Sequence, residues 1–459
     1  MEHCNVNTTG MDQYKKENQE LADFFLENYF YKYFRATGNQ DDIGRNIELI
    51  ISPKCNLGCK YCYVHRYRDK IFDDNCFNEE DTVKNLHLIM QWMEKNDFNP
   101  PMEIFSGELM AQEVGFKVLN IICDYMEKRP PEKRIPSITI PTNFTFICSE
   151  EATARVEAVR KRLDDLGIAF GLSASFDGKY MEQNRPYLHD LDIDLGGGIR
   201  GDEYYEKAFK YAAEHYIGFH PMVYSKNIDK WFENFDWFQE MMAKYNIPWE
   251  NIYLLHVRNQ EWTDEELETL GKFMEHIYEF AWEKVGRDPQ TLVDWILHGG
   301  NGFNMLSQPF GCISRGLGCG IQSQLTIRVS DLMTYPCHRT GYRDFYTGQF
   351  VPDEENILRF ECKNVELLMA TFGVHQRSFP HCAQCPINNI CTGTCIGAQY
   401  ESNRNLFAPI PSVCASIYKM ILTNIKCLKK YGAWEIMKSS VNLDKIKQLE
   451  YLEGMLDAK

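Results

Sequence analysis

The chain has 459 residues, a formal net charge of −16, 44% hydrophobic and 25% charged residues. Such a composition suits a folded protein of about two to four domains, and the acidic balance argues against a nucleic-acid partner, because neutralising phosphates takes clustered Lys and Arg. No apolar run reaches the roughly 18 residues a membrane span needs, and the polar N-terminus lacks the apolar stretch of a signal peptide, so a cytoplasmic protein with no membrane partner is expected.

In chain order, residues 1–45 read as an N-terminal helical segment whose aromatic run (Phe24, Phe25, Tyr29, Phe30, Tyr31, Tyr33, Phe34) is expected to pack onto the domain that follows. Strands are predicted at 47–52, 102–106, 137–142, 168–177, 218–224 and 252–257. Helices are predicted between them at 79–96, 110–128, 149–167, 202–216 and 230–245. This alternation implies parallel βαβ units. The expected fold class is α/β, a partial (β/α)6 TIM-like barrel over 46–262, with its active residues in loops at the C-terminal ends of the strands. The stretch "LGGGIR" (195–200) lacks the Lys-Ser/Thr of a phosphate loop and reads as a connection. Residues 263–304 form a helical bridge, with a helix at 263–286. Residues 305–420 lose the alternation and become Gly- and Cys-rich and irregular, as a small metal-stapled domain would. Residues 421–459 read as a C-terminal helical tail.

The 17 cysteines fall mostly in groups: Cys55, Cys59 and Cys62; Cys312, Cys319 and Cys337; Cys382, Cys385, Cys391 and Cys395, with Cys414 beyond. Grouped cysteines in a reducing compartment read as zinc or iron–sulfur ligands. Cys4, Cys76, Cys123, Cys148, Cys362 and Cys427 read as buried free cysteines. Three thiolates in the first loop, with no fourth nearby, suit a four-iron cluster that keeps one iron open. A zinc site or structural thiols are the alternatives.

The spacing Cys55-x3-Cys59-x2-Cys62, with Tyr61 and Tyr63, resembles the signature of the radical S-adenosylmethionine (SAM) superfamily. The resemblance implies an open iron that chelates SAM, whose reductive cleavage gives a 5′-deoxyadenosyl radical that takes hydrogen from a substrate. Further motifs follow in the family's order. Ser106, Gly107 and Glu108 resemble the Gly-Gly-Glu-Pro motif that holds the methionine amino group, with Ser for the first Gly and Leu109 for the Pro. Thr142 and Asn143 resemble Thr-Asn-Gly, with Phe144 for the Gly. Ser173, Ser175 and Asp177-Gly178 resemble the segment near the SAM ribose and carboxylate, and Arg185 an arginine that pairs with that carboxylate.

The later cysteines resemble the SPASM domain, an irregular C-terminal extension that binds auxiliary clusters. The resemblance implies Cys312, Cys319, Cys337 and Cys395 on one [4Fe–4S] cluster and Cys382, Cys385, Cys391 and Cys414 on another, three [4Fe–4S] clusters in all. Leu332 stands where the family usually has Gly. SPASM enzymes mostly modify peptides and proteins, so a precursor peptide substrate and a reducing flavodoxin or ferredoxin partner are expected. In sulfatase-maturating relatives an Asp base follows the cysteine that corresponds to Cys337. Here His338 stands there, which favours a ribosomal-peptide maturase that installs a thioether or carbon–carbon crosslink, with His338 as a base near substrate. Tyr342, Arg343 and Asp344 are weaker candidates. The alternatives are sulfatase-maturating-type Ser/Cys oxidation, a non-peptide substrate, and a non-catalytic iron–sulfur or zinc scaffold.

Overall fold

The computed structural model describes residues 16, 19–20, 46–65, 77–105, 107–197, 201–299, 304–307, 310, 324–341, 345–364, 367, 380–388, 390–391, 395–406, 408–441 and 443–457. Most of the expected N-terminal helical segment, its aromatic run included, lies outside these residues.

Strands β1 (Asn46–Ile50), β2 (Met102–Phe105), β3 (Ser137–Thr142) and β4 (Ala169–Ala174) lie side by side and parallel. Helices α1 (Glu79–Lys95), α2 (Glu113–Lys128) and α3 (Glu150–Asp165) connect them. Helices α4 (Asp202–Glu214) and α5 (Trp231–Lys244) precede β5 (Met222–Val223) and β6 (Leu255–His256) respectively. Although β5 and β6 are short, parallel bridges from Ala174 to Phe219 and from Phe219 to Ile252 carry the sheet round from β4. The architecture is the expected α/β partial barrel of six parallel strands.

Side-chain alternation explains how the sheet sits. On β1, Ile47 and Leu49 are fully buried in one core with Leu86, Ile89 and Met93 of α1. Glu48, between them, faces the inside of the barrel. The helices start where caps allow: Asn78 accepts from Asp81 N at 2.7 Å, and Ser149 from Ala152 N at 3.3 Å.

Beyond residue 305 the structure is more regular than the sequence suggests. Strand β7 (Gln324–Arg328) pairs parallel with the free edge of β1. It is followed by the antiparallel strands β8 (Met333–Tyr335), β9 (Gly348–Pro352) and β10 (Leu358–Cys362). One sheet of eight strands thus runs β10-β9-β8-β7-β1-β2-β3-β4. Such short strands carry little periodicity to read. At the β7–β8 turn Leu332 adopts φ +60°, the left-handed conformation glycine favours, with its side chain 4% exposed. Asp331 fixes the turn by accepting from Arg328 Nε at 3.0 Å and from Met333 N at 3.2 Å.

Helix α6 (Asp264–Lys284) starts at a capping box of Thr263 and Glu266, at the start of the expected bridge. After α7 (Pro289–Asp294) and α8 (Ile396–Asn403), helix α9 (Pro411–Lys430) packs on α6. Tyr278 donates to Asn424 Oδ1 at 2.6 Å, and the Trp282 and Tyr431 rings lie 4.8 Å apart. Helices α10 (Trp434–Ser440) and α11 (Leu443–Asp457) form the tail. Among the described residues no helix is long and apolar enough to cross a membrane.

Candidate active site

The three-cysteine loop leaves the C-terminal end of β1 and is held by a short backbone ladder. Lys60 N donates to Asn184 O at 2.9 Å, Gly58 N to Pro186 O at 2.8 Å, and Leu188 N to Asn56 O at 2.9 Å. A second clamp comes from the loop after β2, where Gly107 N donates to Ser52 O at 2.8 Å and Glu108 N to Lys54 O at 2.9 Å. The two backbones approach so closely that a Cβ on residue 107 would lie 2.1 Å from Lys54 O. Only glycine fits there.

Cys55, Cys59 and Cys62 are half-buried, and none of them is in a disulfide among the described residues. Burial raises the Cys55 thiol far above its ordinary value, followed by repulsion from Cys59, Glu108 and Cys62. Burial also raises Cys62. Thiols that repel one another as thiolates share one small site. That donor set fits a metal centre, whose positive charge relieves the repulsion.

Glu108 is 1% exposed, and its carboxylate ties β2 to β3. It accepts from Thr142 Oγ1 at 2.8 Å, Asn143 N at 2.5 Å and Met110 N at 3.2 Å. Burial outweighs these bonds and moves its carboxyl up to about 7. Asn143 Nδ2 donates to Asn56 Oδ1 at 2.7 Å and lies 3.7 Å from Cys55 Sγ. Its Oδ1 accepts from Thr145 N at 3.0 Å. Phe144 holds φ +68°, so the turn keeps a glycine-like backbone with a fully buried phenylalanine.

On the other side of the loop, Asp177 is 3% exposed and accepts from the Tyr61 hydroxyl, from Met222 N at 3.0 Å and from Arg185 Nη2 at 2.9 Å. The Arg185 guanidinium also lies 5.4 Å from the Tyr61 ring centroid. Burial drives the Tyr61 hydroxyl well above its ordinary range. A small pocket opens between Leu57, Asn143, Ser175, Asp177, Arg185 and Tyr204. Ser173 turns to His220 instead, with Oγ 3.3 Å from Nδ1. Ser106 lies outside the described residues.

Inside the barrel, Glu48, Glu103 and Thr139 sit in register on β1, β2 and β3, and Thr326 of β7 stands beside Glu48. Glu48 accepts from Thr326 Oγ1 at 2.6 Å and from His338 N at 2.8 Å, and His338 Nδ1 is 2.5 Å from its Oε1. The His338 ring stacks on Phe105 at 4.4 Å. Burial lowers the His338 pKa, but attraction and hydrogen bonding to Glu48 outweigh it and bring it up to about 9. The Glu48 contact thus favours the protonated form of His338. Glu48, Glu103 and Phe105 escaped the sequence reading. A glutamate in the middle of the apolar strand "NIELI" was the available signal.

Of the auxiliary ligands, Cys337, Cys382, Cys385, Cys391, Cys395 and Cys414 are described, and none of them is in a disulfide among the described residues. Cys382, Cys385 and Cys414 come together: burial and then the charges of Cys382 and Cys385 push Cys414 up to about 11. Cys391 N donates to Ile387 O at 2.7 Å. Cys312, Cys319, Tyr342, Arg343 and Asp344 lie outside the described residues, as do Cys4 and Cys76. Cys123 and Cys427 are buried in the core. Cys148 and Cys362, expected to be buried, are only half-buried: Cys148 ends the turn after β3 and Cys362 ends the last strand, β10, where the packing opens to solvent.

No protein-family model matches the chain, and no curated protein does. Solved structures do. A structure of histidine-tagged anSMEcpe with bound AdoMet matches at TM-score 0.55 and 16% identity, over 88% of this chain and 98% of that one. Native anSMEcpe with bound AdoMet and Cp18Cys peptide matches at TM-score 0.52 and 16% identity, over 85% of this chain and 99% of that one. Streptococcus suis SuiB bound to S-adenosylmethionine has TM-score 0.42 and 15% identity, over 81% of this chain and 77% of that one. The fold of this chain is thus similar to that of anSMEcpe over 85–88% of its length.

Proposed function

We propose that the chain is a radical SAM peptide-modifying enzyme with three [4Fe–4S] clusters, which installs a thioether or carbon–carbon crosslink, or a related oxidative change, in a ribosomally made peptide. The observation that carries this reading is the three-thiol loop at the head of β1, clamped by the Gly107 approach and surrounded by Glu108, Asn143, Asp177 and Arg185 from successive strand ends. Cys55, Cys59 and Cys62 would hold a cluster there, which together with SAM would supply a 5′-deoxyadenosyl radical.

The chain's own residues then have separate tasks. Glu108 keeps the β3 turn in place, and Asn143 positions Cys55 through a weak amide–sulfur contact. Asp177 and Arg185 brace Tyr61 beside the pocket. Phe105, Glu103 and His338 line the barrel interior, where substrate would meet them. Crosslinking removes two hydrogens from the substrate. One would leave as a hydrogen atom, the other as a proton and an electron. That electron needs an acceptor, and two auxiliary clusters on Cys312, Cys319, Cys337, Cys395 and on Cys382, Cys385, Cys391, Cys414 would provide one. A flavodoxin or ferredoxin is the reductant we infer.

Oxidation of a protein Ser or Cys is the second reading. It is favoured by the fold shared with anSMEcpe, of which one structure holds a Cp18Cys peptide, and disfavoured by His338 in place of the Asp.

The test is anaerobic: reconstituted protein, dithionite, SAM and peptides encoded beside the gene, assayed for 5′-deoxyadenosine and for peptide mass. The expected result is 5′-deoxyadenosine formation, with a peptide lighter by two hydrogens and resistant to thiol alkylation or fragmentation at the link. A peptide or protein carrying an aldehyde would establish the second reading. No 5′-deoxyadenosine under any condition would return the chain to a metal-binding scaffold.

A further inference from the structure

A buried ion pair lies between the three-cysteine loop and the C-terminal cysteines, and the site described above makes no use of it. Arg339 stands two residues after Cys337, and Glu401 six residues after Cys395. Arg339 Nε donates to Glu401 Oε1 at 3.0 Å and Nη2 to Oε2 at 2.8 Å, a two-point contact. The Arg339 side chain is 17% exposed and that of Glu401 is fully buried. Asn259 Nδ2, beyond β6, donates to Glu401 Oε2 at 2.9 Å and ties the pair to the barrel. Helix α8 makes room for it at Gly397, where a Cβ would meet Arg339 Cγ at 2.9 Å.

The other face of the guanidinium looks at the three-cysteine loop. Its carbon lies 4.9 Å from the centroid of Tyr63, the residue after Cys62. Tyr63 stacks toward Phe105 at 6.4 Å, and Phe105 stacks on His338, the residue after Cys337, at 4.4 Å. Both thiols, Cys62 and Cys337, act electrostatically on the Tyr63 hydroxyl, so the ring lies within range of both cysteine groups. The Arg339 cation therefore sits beside the Tyr63 ring, which itself lies 6.4 Å from the His338 ring, and its counter-charge is on the helix that follows Cys395.

We propose that Arg339 is a positioning residue that biases the reduction potential of the auxiliary cluster held through Cys337 and Cys395, with Glu401 setting how much of its charge is felt. This rests on the proposed function. A nearby cation stabilises the reduced, more negative cluster, and an anion does the opposite. Arg339 thereby favours passage of the substrate electron from the radical site to that cluster.

The test is an EPR-monitored redox titration of the reconstituted holoenzyme, with iron counted in each sample. Arg339→Gln should lower the ratio of reduced to oxidised auxiliary cluster at a fixed poise by about tenfold, a fall of about 59 mV for a one-electron couple. Glu401→Gln, which leaves the cation uncompensated, should move the ratio the other way. The double variant Arg339→Gln/Glu401→Gln should return toward wild type, and Arg339→Lys should stay near it. A merely structural pair would move both single variants in the same direction. Full iron with no shift, or with shifts of the same sign, would overturn the proposal. So would loss of iron in every variant, Arg339→Lys included, because the pair would then be a clamp. A wild type without auxiliary iron would overturn the proposed function itself, and this inference with it.

Discussion

Replacing Gly107 by alanine is the sharpest perturbation of the site that leaves every ligand and charged group in place. The added Cβ would sit 2.1 Å from Lys54 O, 2.5 Å from Lys54 C and 2.6 Å from Pro53 O. These are backbone atoms two residues or fewer before Cys55, so no side chain can swing aside. To reach even 3.0 Å, the tight end of real contacts, the chain must part by about 0.9 Å. Overpacking of this kind costs about 1–3 kcal/mol. The movement also strains two hydrogen bonds, Gly107 N to Ser52 O and Glu108 N to Lys54 O, each worth about 1 kcal/mol. With both bonds lost the total is about 3–5 kcal/mol, concentrated on the segment that aims Cys55. The assay compares thermal melts with iron and SAM affinity after reconstitution. Gly107→Ala should melt lower and lose most SAM affinity, with the iron loss confined to the three-cysteine site. Unchanged SAM affinity and iron would refute the claim that this close approach shapes the site.

Replacing Cys55, Cys59 and Cys62 together by alanine should abolish 5′-deoxyadenosine formation while sparing the auxiliary iron. Retained cleavage would contradict the assignment. Replacing Cys382 and Cys385 should remove about four irons per chain and slow peptide turnover, as iron analysis and mass spectrometry would show. Leu332→Gly should relieve about 1 kcal/mol of left-handed strain but give up about 2–3 kcal/mol of leucine burial, a net loss visible in denaturant midpoints. A gain in stability would mean that the Leu332 side chain contributes nothing. Because the Glu108 carboxyl lies near 7 in the fold against an ordinary 4.5, the folded state holds this proton more tightly. Its contribution to stability is full below about pH 4.5 and is lost as pH rises through about 7. A Glu108→Gln variant should lack that part of the pH–stability profile, and an unchanged profile would refute the shift.

The parallel half of the barrel was legible because its strands are apolar runs separated by well-patterned helices. "SITIPT" forms β3 over the whole predicted span, Ser137–Thr142. The predicted strands at 218–224 and 252–257 shrink to two-residue ladders plus bridges, since sheet closure, which sequence does not encode locally, decides how much of each run pairs. Two apparent departures from motif, Phe144 and Leu332, are departures in side chain only. Both keep positive φ, at +68° and +60°, because burial and neighbouring hydrogen bonds over-determine the turn. Glu48, Glu103 and His338 were not legible as a group: they are 55 and 235 residues apart in the chain, and only the β1–β2 register brings the carboxylates together. The pairing of β7 with β1 was hidden for the same reason.

The central claim is that Cys55, Cys59 and Cys62 hold an iron–sulfur cluster on a chain that carries two more. Its most direct test is iron and acid-labile sulfide per chain after anaerobic reconstitution, for wild type and for the variant lacking these three cysteines. The account predicts about twelve of each in the wild type and about eight in the variant. Bound zinc in place of iron, or an iron count that the variant does not lower, would contradict it.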